Sequence, residues 1–444
     1  MKHFIVTLIF LTGFLSLLPA QSWRELTQSN SALPSNAIQS IFFDDDQSVW
    51  LCTQDSGLVH YRNGQFITYN SNSNDNFTAD WANQIVKSPS GTYWIISEYD
   101  GLFKLKDGQF TQYKDDGNGH NLEYLRSVTL QNGGPGNGGA IWIGTWGHGL
   151  FKFNGNYWSY FDQASGILPD NSCLALACEE DPNSDSSMVW VGTNSGLMKY
   201  DGQNWEKISV ENMDDLWVNA IAIKNGGPTF GNGQLIIGCE TGELAFFDGN
   251  SWDIFNMADP WNPNNAVTDI SVDADGIVWF GQEDEGLGMY DEKSLLSYYK
   301  ENSGILANDV ISLATRSNND STEVWCSVYG KGGEGYMGIS IYTQARVTGL
   351  SRQETMPGTF SLRQNYPNPF NPSTRIQFTM ARTEHVNLTV FNALGQKVRT
   401  LVNRKLTPGS YTATFNAGSL PSGIYFYTLQ TQHKSQTRKM LLVK

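Results

Sequence analysis

Apolar positions along this chain come in short runs of four to seven residues, rich in aromatic and β-branched side chains and cut off by Gly, Asn or Asp. In the first such set the runs fall at 38–44, 49–53, 58–61 and 66–69. Runs of this kind predict strands. The Asn63-Gly64, Asp107-Gly108, Asp201-Gly202 and Asp248-Gly249 pairs predict tight hairpins, because both residues of such a pair accept positive φ. No segment of the body has a helical period. The four-run pattern occurs seven times. The fullest copies have a Trp position, a short turn, Gly-Leu, an apolar pair, and then Asp-Gly or Asn-Gly before an aromatic. The copies begin at Trp50, Trp94, Trp142, Trp190, Leu235, Trp279 and Trp325, at spacings of 44, 48, 48, 45, 44 and 46 residues. A period in the forties made of four short strands is the pattern of a propeller blade. The expected fold is all-β: a seven-bladed β-propeller over 21–345, a linker over 346–360, and a small antiparallel β-sandwich over 361–444.

The seventh copy lacks its last strand. After Trp325 it supplies a third run at 338–342 and then no Asp-Gly-aromatic phrase. The missing phrase stands at the other end of the body, where Ser22-Trp23-Arg24-Glu25-Leu26 matches fourth-strand runs such as Ser251-Trp252-Asp253-Ile254. Residues near the start of the body are therefore predicted to complete the last blade, which removes two open sheet edges. In the tail, strands are predicted at 375–380, 385–392, 397–401, 409–416, 423–430 and 436–443.

Charge sharpens the division. The chain has 29 Lys and Arg against 44 Asp and Glu, but residues 361–444 hold eleven of the basic residues and a single acid, Glu384. The tail is thus +10 and the rest −25. An acidic body argues against nucleic acid as a partner, since phosphates are repelled. Residues 1–20 carry Lys2 and His3 ahead of an apolar run from Phe4 to Leu18 and end in Pro19-Ala20, the layout of a secretory signal peptide. No other stretch reaches membrane-spanning length, so no integral membrane segment is expected. The five cysteines suit free, buried thiols better than a disulfide framework. No cofactor and no metal site is implied by any spacing.

Two resemblances follow from particular residues. Trp142-Ile143-Gly144-Thr145 and Trp190-Val191-Gly192-Thr193, with lead-ins such as Ser165-Gly166-Ile167-Leu168-Pro169-Asp170-Asn171, resemble the repeats of the two-component-regulator propeller family over 22–345. That likeness implies an extracytoplasmic sensing or binding propeller; no kinase or DNA-binding segment follows it here. The tail is similar to the C-terminal sorting domain (type A) of the type IX secretion system. The likeness rests on the motif Gln364-Asn365-Tyr366-Pro367-Asn368-Pro369-Phe370-Asn371-Pro372, on Asn392-Ala393-Leu394-Gly395, on Pro421-Ser422-Gly423-Ile424-Tyr425 and on the basic terminus. It implies handling by the type IX machinery through 361–444 and delivery to the cell surface or the medium. The four prolines at 357, 367, 369 and 372 make this opening segment stiff and extended.

Candidate chemistry sits in loops that emerge on one face around the axis. Arg126, Trp146, His148, Tyr99, Trp217 and Glu283 are the expected ligand-binding residues, because aromatic planes beside acids and amides suit carbohydrate. Asn36, Asn83, Asn171, Asn219, Asn265 and Asn308 stand near the start of the innermost strand in six copies, where Asn ties down a turn. The third copy has Arg126, expected to put a lone cation at the channel mouth, suited to a carboxylate or sulfate. Catalytic residues are not identifiable, since acids are too common for a pair to stand out. The expected function is a binding module for an unknown extracellular ligand, carbohydrate or protein. A polysaccharide-active lyase or hydrolase is the first alternative and a structural adhesin the second.

Overall fold

The computed structural model describes residues 21–346 and 361–443, apart from 74–75, 136–137, 211–215, 232, 257–264, 293–294, 332, 366–367, 381–383, 407–408, 419 and 433. The expected signal peptide, most of the linker, and Tyr366 and Pro367 of the sorting motif lie outside the described residues. Seven four-stranded antiparallel sheets follow one another along the body. Blade 1 runs from Ile38–Phe43 to Gln65–Tyr69, and blade 2 from Ala82–Lys87 to Gln109–Tyr113. Blade 3 begins at Leu125–Gln131, blade 4 at Cys173–Glu180, blade 5 at Val218–Lys224, blade 6 at Val267–Val272 and blade 7 at Asp309–Ser317. Successive innermost strands touch, and that of blade 7 meets that of blade 1, which closes the ring. Blade 7 takes its outermost strand from Gln21–Leu26, which pairs antiparallel with Gly335–Ala345 and sets Trp23 opposite Tyr342.

Apolar side chains are buried between blades rather than around one centre. Each of the seven interfaces has its own cluster. Trp94, Trp142, Trp190, Trp279 and Trp325 are among the largest fully buried side chains. The repeat supplies a partner for most of these indoles: Trp50 donates to Asp44 at 3.1 Å, Trp142 to Gln131 at 2.8 Å, Trp190 to Glu179 at 3.2 Å and Trp279 to Asp273 at 3.1 Å. Blade 2 has Ser88 at the place of Asp44, and the indole N–H of Trp94 has no hydrogen-bond partner among the described residues. A buried unpaired donor is costly. Ser88→Asp is therefore expected to stabilise the fold by about 1 kcal/mol, read by chemical denaturation; a neutral or negative change would show that desolvating the new carboxylate outweighs the bond.

Blade 5 departs from the repeat, and the sequence alignment by one residue with it. Ile236, not Leu235, occupies the Trp position, since it pairs Ala222 as Trp50 pairs Phe42. With no indole to accept from, the place held by Asp44, Gln131, Glu179 and Asp273 in blades 1, 3, 4 and 6 is taken by Lys224. Its buried ammonium reaches Glu292 of blade 6 at 2.6 Å. Glycine and threonine of the Trp-Ile-Gly-Thr…Gly-Leu phrase build the next loop. Thr145 donates to the Gly149 carbonyl at 2.7 Å and accepts from the His148 amide at 3.0 Å. Gly101, at φ +84°, faces the Tyr113 carbonyl so closely that a Cβ would overlap it. All five thiols are free, four of them buried and Cys178 half-buried, and burial pushes those of Cys52, Cys178 and Cys326 up to about 12.

The C-terminal domain stacks two sheets, one of Ser361–Leu362, Ser373–Met380 and Gly409–Asn416, the other of Lys397–Leu406, Glu384–Asn392, Gly423–Gln430 and Ser435–Leu442. Its core includes Phe370, Ile376, Phe378, Leu388, Phe415, Tyr427 and Met440.

Candidate functional site

Every innermost strand has a β-bulge at its second or third residue. The registers skip Gln39, Asn83, Arg126, Leu174, Asn219, Thr268 and Ile311. A bulge breaks the strict alternation and re-aims the extra side chain. These seven residues therefore occupy equivalent places at one end of the channel. Asn83, Arg126 and Asn219 belong to this set. Asn36, Asn171, Asn265 and Asn308 do not: they stand three positions before the bulged residue, so the six asparagines are not equivalent. Asn36, Asn171 and Asn308 tie down the preceding turn by accepting from the amides of Gln28, Gln163 and Lys300 at 2.7–2.9 Å. Asn83 and Asn219 instead donate to the acid of their own blade's next loop, Glu98 at 2.7 Å and Glu240 at 2.6 Å.

The residue before each of these three strands is aromatic: Trp81, Tyr124 and Trp217. Blades 2 and 5 thus share a Trp-Asn-Glu trio, and blade 3 has Tyr124, Arg126 and Trp146 in the same three places. Tyr124 has φ +56°, a conformation that bulky residues rarely adopt and that concentrates at functional positions. Its amide donates to the Glu98 carbonyl at 2.5 Å and its carbonyl accepts from the Trp146 amide at 2.9 Å. The strained residue clamps two loops together.

Four of the six expected ligand-binding residues meet here. Arg126 lies over the Trp146 ring at 5.5 Å. Tyr124 contacts Tyr99 edge-on at 5.7 Å and His148 at 5.0 Å, and Tyr99 meets Trp81 at 5.6 Å. These rings stay open to solvent: Tyr99 is 54 % exposed, Trp146 46 % and Tyr124 37 %. Arg126 is not a lone cation. The buried Glu98 carboxylate stands 3.6 Å away, so the pair is internally neutralised and an anion has no excess charge to find. Sequence alone missed this pairing because the two residues come from different blades.

Trp217 and Glu283 form a second arc, in blades 5 and 6. Trp217 is 41 % exposed, and its carbonyl accepts from the Glu240 amide at 3.0 Å. Burial, with Glu240, Asp309 and Asp284 nearby, holds the Glu283 carboxyl above the ordinary range against the pull of Lys331. Burial likewise raises Asp309, against the Asp284 amide and Lys331. Lys331 bonds Asp284 at 2.7 Å and stands 3.7 Å from Asp309. Elsewhere, the oxygens of Asp116 are engaged by the His120 ring at 2.8 Å and by the amides of Asn118 and His120.

In the tail, the motif residues that the structure describes are pinned down rather than held out as an extended arm. Phe370 is buried, donates from its amide to Leu441 and accepts from Val443, both at 3.0 Å. Asn368 accepts from the Leu441 amide at 2.8 Å, and the Pro372 carbonyl accepts from Ala417 at 2.9 Å. Pro369 and Asn371 are exposed. The motif clasps the last strand.

Residues 364–444 match the family model described as the secretion system C-terminal sorting domain. No curated protein matches the chain. Among solved structures, PorZ, a bacterial surface component of the type IX secretion system of Porphyromonas gingivalis, aligns with TM-score 0.51 and 16 % identity over 92 % of this chain and 60 % of its own. The extracellular domain of the hybrid two-component system BT3049 of B. thetaiotaomicron aligns with TM-score 0.56 and 16 % identity, over 95 % of this chain and 54 % of its own. That of BT4673 from the same organism gives 0.56 and 12 %, over 96 % and 60 %. This chain thus spans little more than half the length of these proteins, and at such identities the likeness is one of fold. Among the described residues no helix is long and apolar enough to cross a membrane. The C-terminal domain is a secretion system sorting domain, and the chain is a β-propeller protein exported by the type IX secretion system to the cell surface or the medium.

Proposed function

We propose that the propeller is a ligand-binding module and that its primary contact surface is the ring cluster of Tyr99, Tyr124, Trp146 and His148 around Arg126. The observation that carries this is exposure: three large rings stand open to solvent on loops that hydrogen bonds and a strained Tyr124 hold in place. Rigid, exposed aromatics lose little entropy on binding and stack on C–H faces, so a saccharide suits them better than an anion does. The buried Asn83 and Glu98, bonded to each other and with Glu98 3.6 Å from Arg126, supply positioning beneath. Trp217 with Asn219 and Glu240 repeats the arrangement in blade 5, as expected for a ligand with repeating units.

Polysaccharide cleavage is favoured by one observation, the raised carboxyls of Glu283 and Asp309 beside Lys331. A glycan panel read for both affinity and product formation tests the two together. Trp146→Ala with Tyr99→Ala is expected to weaken binding by about 30-fold or more, the effect of losing contacts worth ~2 kcal/mol, with the melting temperature unchanged. Retained binding in the double variant would move the site away from blades 2 and 3. Turnover abolished by Glu283→Gln would favour the enzyme instead.

A further inference from the structure

We infer that the propeller carries a docking surface for its own sorting domain and that Arg375 is the latch. Arg375 is the third residue of the strand Ser373–Met380, which follows directly on the Pro-rich motif. Its guanidinium lies over the Tyr299 ring at 5.0 Å, donates to the Tyr299 hydroxyl at 3.1 Å and stands 3.7 Å from the Glu285 carboxylate. Stacking on a ring while pairing with an acid is the use to which a guanidinium is better suited than an ammonium.

The receiving side is built before the domain arrives. Tyr299 accepts from the amides of Asn302 and Ser303 through its carbonyl, at 2.9 and 3.0 Å, and donates its own amide to Asn302 Oδ1 at 2.8 Å. Glu285 sits in a tight turn, its amide donating to Glu283 at 2.9 Å. Little order is lost when Arg375 settles. On the same sheet of the sorting domain, Tyr411 pairs Phe378 and adds to the electrostatic surroundings of Tyr290 in blade 6. The sorting domain and the rest of the chain also differ in charge as a latch requires, +10 against −25. The tether makes this weak contact effective, because a linked partner is present at high local concentration.

The latch takes Glu285 from the loop that holds Glu283 and Asp284, at the rim of the loop face. Removing the tail returns that carboxylate to the face, so docking couples export to the exposure of the acidic arc. Salt opens the latch, since an exposed ion pair is screened.

Spin labels at Asn250→Cys on the propeller and Gln396→Cys on the tail, both exposed turns, report the separation in the full chain. The expected result at low salt is one narrow distance distribution. Arg375→Glu should reduce the docked population about tenfold and broaden the distribution, as should 1 M salt (~3 Å screening length). Arg375→Glu combined with Glu285→Arg should restore the narrow form. A broad distribution in the unmodified chain would overturn the docking, and a narrow one that Arg375→Glu leaves unchanged would overturn Arg375 as its latch. Neither outcome depends on any ligand of the ring cluster.

Discussion

Deleting Gln21–Leu26 should lower the melting temperature by about 10 °C or more, and Trp23→Ala alone by roughly 5–10 °C. The strand supplies the outer edge of blade 7, pairing along Ile339 to Gln344. Trp23 sits between Tyr342 at 5.1 Å and Tyr298 at 5.8 Å, so it seals blade 7 against blade 6. Arg24 adds a contact to Glu323 at 3.1 Å and lies over the Trp325 ring. Removing a large ring from such a place costs about 3 kcal/mol. Removing the strand also leaves the hydrogen-bonding edge of Gly335–Ala345 open to water and to other chains. Calorimetry on the full chain reads the effect, with light scattering for association. A melting temperature within a degree of the unmodified protein would mean that the ring is held without this clasp.

Asp44→Ala should destabilise the fold by about 3–5 kcal/mol at neutral pH. Asp44 ends the innermost strand of blade 1 and is buried. It accepts from the Trp50 indole at 3.1 Å, from Lys87 at 2.5 Å and from the Tyr93 hydroxyl, which joins blades 1 and 2 through one carboxylate. Burial opposes its ionisation, but the bonds from Lys87, Tyr93 and Trp50 prevail and hold its carboxyl below the ordinary 3.8. Burial and the same carboxylate push the Tyr93 hydroxyl up to about 12. Truncation strands two donors and leaves Lys87 with Asp45 alone, at 2.9 Å. The pH dependence has a definite sign. A carboxyl with a lowered folded value stabilises above its unfolded value and loses that contribution as pH falls through the folded one. The gap between the unmodified protein and Asp44→Ala should therefore be full at pH 7 and narrow as pH drops below 3.8. Denaturant midpoints at pH 7 and pH 3 check this; a gap that does not change would place the energetic role in packing rather than charge.

Much of the architecture is legible in the sequence because the blade is a local unit. Trp142-Ile143-Gly144-Thr145 and Gly149-Leu150 lie within nine residues of one another, and the Thr145 and Gly149 chemistry that makes the loop acts over four. The same holds for the Asn-Gly and Asp-Gly hairpins and for the phrase at Trp23, which betrayed the closing strand by its likeness to the other fourth strands. The motif at Asn368 and Phe370 likewise marked the sorting domain without any knowledge of its fold.

Contacts between blades were decided only in three dimensions. In blade 5, Ile236 and Lys224 replace the Trp and its indole acceptor, and only strand pairing identifies them, one residue from where the spacing puts them. The bulge that separates Arg126, Asn83 and Asn219 from the other asparagines inserts one residue into a two-residue period, which no periodicity reveals. Nothing in the sequence pairs Arg126; the fold brings Glu98, 28 residues upstream, to 3.6 Å from it. Asp44 with Tyr93, Trp23 with Tyr298 and Arg375 with Tyr299 are farther apart still along the chain. Each depends on how neighbouring sheets are rotated and stacked, so composition and spacing determined the parts of this protein, and the ring decided which side chains meet.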